Sequence, residues 1–234
     1  MREPLPTVLI PGLLCTPLLY ADQIPALWPL GPVSIANHTH DDSMADIARR
    51  VLSSAPPKFA LVGLSMGGYV ALELWRRHPE RVAGLVLANT RSGADTPEAS
   101  QGRLALAARL RAEGNVLVDA PPPLLTEDAS EELQQQVTAW IADQPAEAIA
   151  AAAAGMAERP DSTPDLAGID VPTLVITSDG DRLIPKELSA PMAEAIPGAE
   201  LLVLEGVGHL SNVEAPAAFS AALRGHVSAC GVEL

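Results

Sequence analysis

The stretch LVGLSMGGYVALEL, residues 61–74, sets one polar side chain, Ser65, between an apolar run and a helix-like segment. Gly63 precedes the serine, and Gly67 and Gly68 follow it. A short continuous apolar run, KFALVG (58–63), reads as a strand buried on both faces. The residues from Met66 to Arg77 read as a helix, stopped by Pro79 with Arg76 and Arg77 suited to its C-terminal dipole. The pattern Gly63-x-Ser65-x-Gly67 at a strand-to-helix corner has a steric logic. A sharp corner holds its central residue in a strained conformation and leaves no room for side chains two positions either side. The hydroxyl of Ser65 is thereby exposed at the C-terminal edge of a sheet, beside the unpaired N–H groups of a helix start.

Working outward, the same type of apolar run recurs at TVLI (7–10), VSIA (33–36), VAGLVLA (82–88), PTLVIT (172–177) and AELLVLE (199–205). Helical patterns alternate with the first of these, as at 43–54, and this rhythm implies an α/β fold with a doubly wound, mainly parallel sheet. Between about 91 and 168 no strand-like run occurs. Helical patterns fill the interval instead, at 97–113, 127–143 and 146–158, with the breaker APPPLL at 120–125. The chain therefore divides into a core, 1–90 and 169–234, and a helical lid, 91–168, that roofs the crevice at the strand ends.

A serine hydroxyl is a weak nucleophile and needs a base, and the base needs an orienting acid. Of the five histidines, His78 ends a helix and His226 is expected exposed on the last one. His38 and His40 have a spacing that could hold a metal, but Asp41, Asp42 and Ser43 beside them read more simply as helix caps. His209 stands on the glycine-rich stretch EGVGHLSNVEAP after the last strand, on the same edge as Ser65. For the acid, TSDGDRLIP (177–185) offers Asp179 and Asp181 after the preceding strand.

Composition narrows the partners. With 234 residues, 48% of them hydrophobic, the chain supports one large globular domain. A net charge of −14 argues against nucleic acid or an anionic membrane and favours a small uncharged substrate. Two isolated cysteines, Cys15 and Cys230, make neither a disulfide framework nor a zinc site. Glu3, Pro11-Gly12 and Leu14 spoil a lipoprotein-type leader ending at Cys15, and no stretch is long enough to span a membrane, so a cytoplasmic location is expected.

Four segments in order, PGLLC (11–15), GLSMGG (63–68), DGDRLIP (179–185) and GVGHLSNVEAP (206–216), resemble the α/β-hydrolase superfamily. The likeness is to its small, cap-bearing serine esterase-like members. The resemblance implies a triad of Ser65, Asp181 and His209, with Asp181 chosen over Asp179 because it stands four residues before the proline. Asp95 is a third choice, since some relatives move their acid to that strand. It also implies an oxyanion hole from the backbone N–H groups of Leu13 and Met66. Pro11-Gly12 stands where relatives usually carry His-Gly. Relatives begin with a β-hairpin that this chain lacks, so six strands are expected in the spatial order VSIA, TVLI, KFALVG, VAGLVLA, PTLVIT, AELLVLE. VSIA then forms an edge, which leaves room for a homodimer.

The implied activity is hydrolysis of small, uncharged carboxylic esters through an acyl-enzyme, with no metal and no organic cofactor. Lactone, thioester and C–C bond hydrolysis run on the same triad, as does peroxyacid formation, and a non-catalytic small-molecule receptor is a more remote reading. The expected pocket is apolar, lined by Leu13, Leu14, Met66, Leu124, Leu125, Trp140, Leu183 and Leu210.

Overall fold

A computed structural model describes residues 4–231; Glu3, on which the leader argument partly rests, lies outside the described residues. Six strands form one sheet: β1 (Thr7–Ile10), β2 (Val33–Ile35), β3 (Phe59–Leu64), β4 (Val82–Ala88), β5 (Thr173–Ser178) and β6 (Glu200–Leu204). Their order is β2-β1-β3-β4-β5-β6 and every neighbouring pair is parallel, as the sequence predicts. β2 and β6 are the edges, and β2 keeps only three residues of the expected run.

The strands read as continuous apolar runs because both faces are covered, yet side chains still alternate between faces. Leu9, Val62, Leu64, Val86 and Ile176 enter one core, whereas Val8, Ile10, Leu61, Leu85, Leu87 and Val175 enter the other. The first core is closed by the short α1 (Ile24–Leu27), through Leu27, and by Phe219, Leu223 and Val227 of α9 (Pro216–Cys230). The second is closed by α2 (Met44–Ser54), α3 (Met66–Arg77) and α7 (Lys186–Ala195). In α2 the buried residues Met44, Ile47, Ala48 and Val51 follow helical spacing. Its N-terminus is capped by Ser43 alone, whose hydroxyl accepts from the Asp46 N–H at 3.1 Å. Asp41 instead pairs with Arg50. His226, expected exposed, is buried on α9, and burial pushes its pKa down.

Between β4 and β5 lie α4 (Pro97–Glu113), α5 (Glu131–Asp143) and α6 (Ala146–Ala157). α5 starts four residues later than the sequence pattern suggests, because Ser130 caps it by accepting from the Leu133 N–H at 3.3 Å. α4 packs along α6. α6 in turn presses against the start of α2: a Cβ on Gly155 would lie 2.6 Å from the Asp42 carbonyl oxygen. The short α8 (Ser211–Glu214) follows the loop after β6. No helix among the described residues is long and apolar enough to cross a membrane.

Candidate active site

Ser65 stands between β3 and α3 with φ 56° and ψ −119°, in the left-handed half of backbone space that a non-glycine residue avoids. Such a conformation costs on the order of 1–3 kcal/mol and persists only where its surroundings fix it. The Ser65 N–H donates to the Ala88 carbonyl at 2.8 Å, and its own carbonyl accepts from the Thr90 hydroxyl at 2.8 Å. The glycines make the corner passable. A Cβ on Gly63 would overlap the Gly67 carbonyl, and one on Gly67 would overlap the carbonyl of Ile10 at the end of β1. Close approach of the β1 loop continues at Gly12, where a Cβ would lie 3.2 Å from that of Ser65.

His209 is 2% exposed on the loop after β6 and bridges two partners. Its Nε2 lies 2.7 Å from Ser65 Oγ, and its Nδ1 lies 2.8 Å from Asp181 Oδ2. Asp181 Oδ1 accepts the Leu183 and Ile184 N–H groups, each at 2.9 Å, and Oδ2 also accepts from Asn89 Nδ2 at 3.0 Å. Burial pushes this carboxyl up, but the bond to His209, that ring's charge, the Ile184 N–H and Asn89 outweigh it and hold it below the ordinary range. An ionised Asp181 can only accept, so Nδ1 carries the hydrogen, and in the neutral imidazole Nε2 is left to accept from the serine. Asp179, the other aspartate of the segment, accepts instead from the Gly206 N–H at 2.7 Å and shapes the turn.

Two residues that support this arrangement have no role assigned by the sequence reading, although Glu214 falls within the segment 206–216. Asn89, at φ 43° just past β4, is fully buried. Besides Asp181 it donates to Ser178 Oγ at 2.7 Å and accepts from Ser211 Oγ at 2.5 Å, tying together three loops. Glu214 accepts from the Gly208 N–H at 2.8 Å and from the Thr126 N–H at 3.0 Å, joining the histidine loop to the insertion. The one sequence signal for Asn89 is a polar amide directly after an apolar strand.

These groups open into a cavity of about 450 Å³. Leu13, Leu14, Leu124, Leu183 and Leu210 line it, as expected. Leu125 and Trp140 do not: both are turned into the first core, where Trp140, 3% exposed, packs with Val137 and Ile141. The Met66 side chain is likewise buried in the second core, so only its backbone is placed beside Ser65. Met66 opens α3, where N–H groups lack intrahelical acceptors, and Leu13 follows Gly12 on the β1 loop. Cys15 also reaches the cavity, and burial pushes its thiol up to about 12, which leaves it protonated and unreactive.

The wall is not wholly apolar. Tyr69, Arg91 and Arg103 contribute to it, none of them expected there, and so does Asp95, the third candidate for the acid. Asp95 bonds to arginines, not to His209: Arg91 Nη2 and Arg103 Nε each at 2.5 Å, and Arg159 Nη1 at 3.0 Å. Among the described residues no three or more His, Cys, Asp or Glu side chains converge as metal ligands.

A parallel sheet carrying a strand–serine–helix corner, with a histidine and a carboxylate delivered to it by the loops after later strands, defines an enzyme of the α/β-hydrolase type. The profile of the alpha/beta hydrolase family matches residues 8–222, and the chain belongs to that family. It is 30% identical over 201 residues to a 3-oxoadipate enol-lactonase 2 of Acinetobacter baylyi, covering 83% of this chain and 71% of the other. It is 28% identical over 191 residues to a pimeloyl-[acyl-carrier protein] methyl ester esterase of Edwardsiella ictaluri, covering 77% and 74%. A thermophilic esterase from Thermogutta terrifontis superposes with a TM-score of 0.89 at 31% identity, over 97% of this chain and 91% of that one.

Proposed function

We propose that the chain is a carboxylic-ester hydrolase that works through an acyl-enzyme on Ser65. The observation that carries this reading is the continuous hydrogen-bonded line from Ser65 Oγ through His209 to Asp181, at 2.7 and 2.8 Å. In the proposed cycle Nε2 of His209 takes the hydroxyl proton as Oγ bonds to the ester carbonyl carbon. The N–H groups of Leu13 and Met66 receive the oxyanion, a contribution of about 2.7–4 kcal/mol per donor in comparable enzymes. Collapse breaks the bond to the alcohol oxygen, which leaves with the proton from His209. A water, deprotonated by the same imidazole, then releases the acid and restores Ser65. Asp181 holds the ring's tautomer and steadies its positive charge throughout.

The insertion acts as the lid in this reading, shielding the acyl-enzyme from bulk water and bounding what fits. Lactone opening is the second reading, favoured by the likeness to an enol-lactonase. It uses the same steps, with the leaving alcohol still tethered.

The test is hydrolysis of p-nitrophenyl butyrate and γ-butyrolactone by the purified chain, followed by treatment with a serine-directed phosphonate. Turnover of the ester with a covalent mass shift on the peptide containing Ser65 is the expected result. An inert chain with an unmodified Ser65 rules the reading out, and faster turnover of the lactone moves the assignment to the second reading.

A further inference from the structure

Three guanidiniums converge on one carboxylate in the roof of the cavity, leaving an excess of two positive charges. The ionised state of Asp95 is secure. Burial pushes its carboxyl up, but Arg103 and Arg159 more than reverse that and hold it below the ordinary range. A structural tie between β4 and the helices above it would need one arginine per carboxylate. Burying unpaired charge otherwise costs several kcal/mol per ion, as an order of magnitude.

The three arginines are not equivalent. Arg159 is 3% exposed and both of its terminal nitrogens are engaged by structure, although its Nε, like that of Arg91, has no hydrogen-bond partner among the described residues. It donates to the Met156 and Gly93 carbonyls at 2.8 and 2.9 Å, and its guanidinium lies 4.0 Å from the centre of the Tyr69 ring. Arg91 and Arg103 are 22% and 29% exposed, and both line the same cavity as Ser65 and His209. Arg91 turns Nη2 to Asp95 and leaves Nη1 without a hydrogen-bond partner among the described residues; its Nε is buried and also unpaired. Arg103 gives Nε to Asp95 and Nη1 to the Met156 sulfur at 3.6 Å, a weak acceptor. Both therefore keep donors for something that enters the cavity, and Asp95 fixes their planes in advance.

We propose that Arg91 and Arg103 bind a carboxylate at the end of the substrate remote from the reacting carbonyl, so that the preferred substrate is a half-ester of a short dicarboxylic acid. This rests on the ester-hydrolase reading of the cavity and deepens it. The leucines that line the same cavity suit a short methylene chain, and a guanidinium pair suits a planar anion with two acceptor oxygens. The net charge of −14 favours an uncharged substrate for the chain as a whole, but a cavity walled by Arg91 and Arg103 has the opposite local balance. The field that a bound ligand feels is the local one.

Two measurements test it. Turnover of monomethyl succinate, glutarate and adipate is compared with that of methyl pentanoate, the neutral counterpart of the glutarate. Binding of monomethyl glutarate to the Ser65→Ala chain is read by calorimetry. The half-ester of best length is expected to exceed methyl pentanoate in kcat/KM by about tenfold or more at low salt, and to bind the Ser65→Ala chain. Arg103→Gln and Arg91→Gln should each bring that preference most of the way down to equal turnover, with Arg103→Lys intermediate. Arg111→Gln, on the exposed side of α4 and paired with Glu147, should leave the preference where it was.

Equal turnover of neutral and charged esters, or a preference untouched by both Gln variants with native melting curves, overturns the carboxylate site and leaves the hydrolase standing. Binding without turnover of any ester keeps the site and removes the hydrolase. If the Gln variants do not fold, the preference and binding of the unmutated and Ser65→Ala chains decide alone.

Discussion

The floor of the cavity comes from loops at the ends of β1, β3, β5 and β6, the roof from helices inserted between β4 and β5. The floor is held by short hydrogen bonds, many of them made to main-chain groups. Asp181 is gripped by two backbone N–H groups, and Ser65 by the Ala88 carbonyl and the Thr90 hydroxyl. The roof is held by side chains, through the apolar contacts of α4 with α6 and the ion pairs around Asp95. Backbone-held geometry tolerates little change in position, which reacting atoms require. Side-chain contacts can be replaced one at a time, which suits the part of a site that chooses its ligand.

The comparison is sharpened most by the floor itself. Ser65→Ala should lose essentially all ester turnover, about 10⁶-fold, while its melting curve stays native. Wholesale unfolding would show the serine to be structural. Asp181→Asn should reduce kcat by about 10⁴-fold while Asp179→Asn barely changes it, and the reverse result would move the orienting acid. Asn89→Ala removes one donor from Asp181, and a loss of about 10- to 100-fold is expected, carried by kcat with KM nearly constant. A loss confined to stability would reduce Asn89 to a packing residue.

The roof should respond the other way. Trp140→Ala is expected to lower stability by about 3–5 kcal/mol and, where the chain remains folded, to leave KM near its original value. Leu124→Ala, at the cavity wall, should lower it less, by about 2 kcal/mol, and raise KM. Equal effects on KM would erase the distinction between the two. The smallest effect belongs to acid. Asp95 and Asp181 both have folded pKa values below their ordinary ones, so their contribution is complete above about pH 4. It is lost as pH falls from there through the lower folded values, where the unfolded chain binds more protons. Denaturant midpoints measured between pH 5 and 2.5 should fall, and less steeply for Asp95→Asn.

Legibility in the sequence follows the same division. The strands and their order are readable because a buried parallel strand is a local apolar run, and the corner at Ser65 because its glycines are adjacent in sequence. The choice between Asp179 and Asp181 required resemblance, since both follow the same strand. Leu125 and Trp140 are not placed by sequence because an apolar residue in the insertion carries no mark of whether it faces the cavity or the core. Arg91, Arg103 and Arg159 look like ordinary solvated charges, and Asp95 like a candidate acid for the histidine, until folding brings α4 and α6 to the exit of β4. Asn89 is hidden for a similar reason, because its partner Asp181 is 92 residues away.

That separation has a consequence for the chain as it is made. Ser65 and its glycine corner emerge early, but the imidazole it bonds to lies 144 residues further on. A ribosome that has finished β4 and the whole insertion has delivered a serine without a base and a roof without half its floor. In the proposed mechanism, chemistry is therefore a property of the last quarter of the polypeptide, and a truncated product is an inert one, however well its first strands have paired.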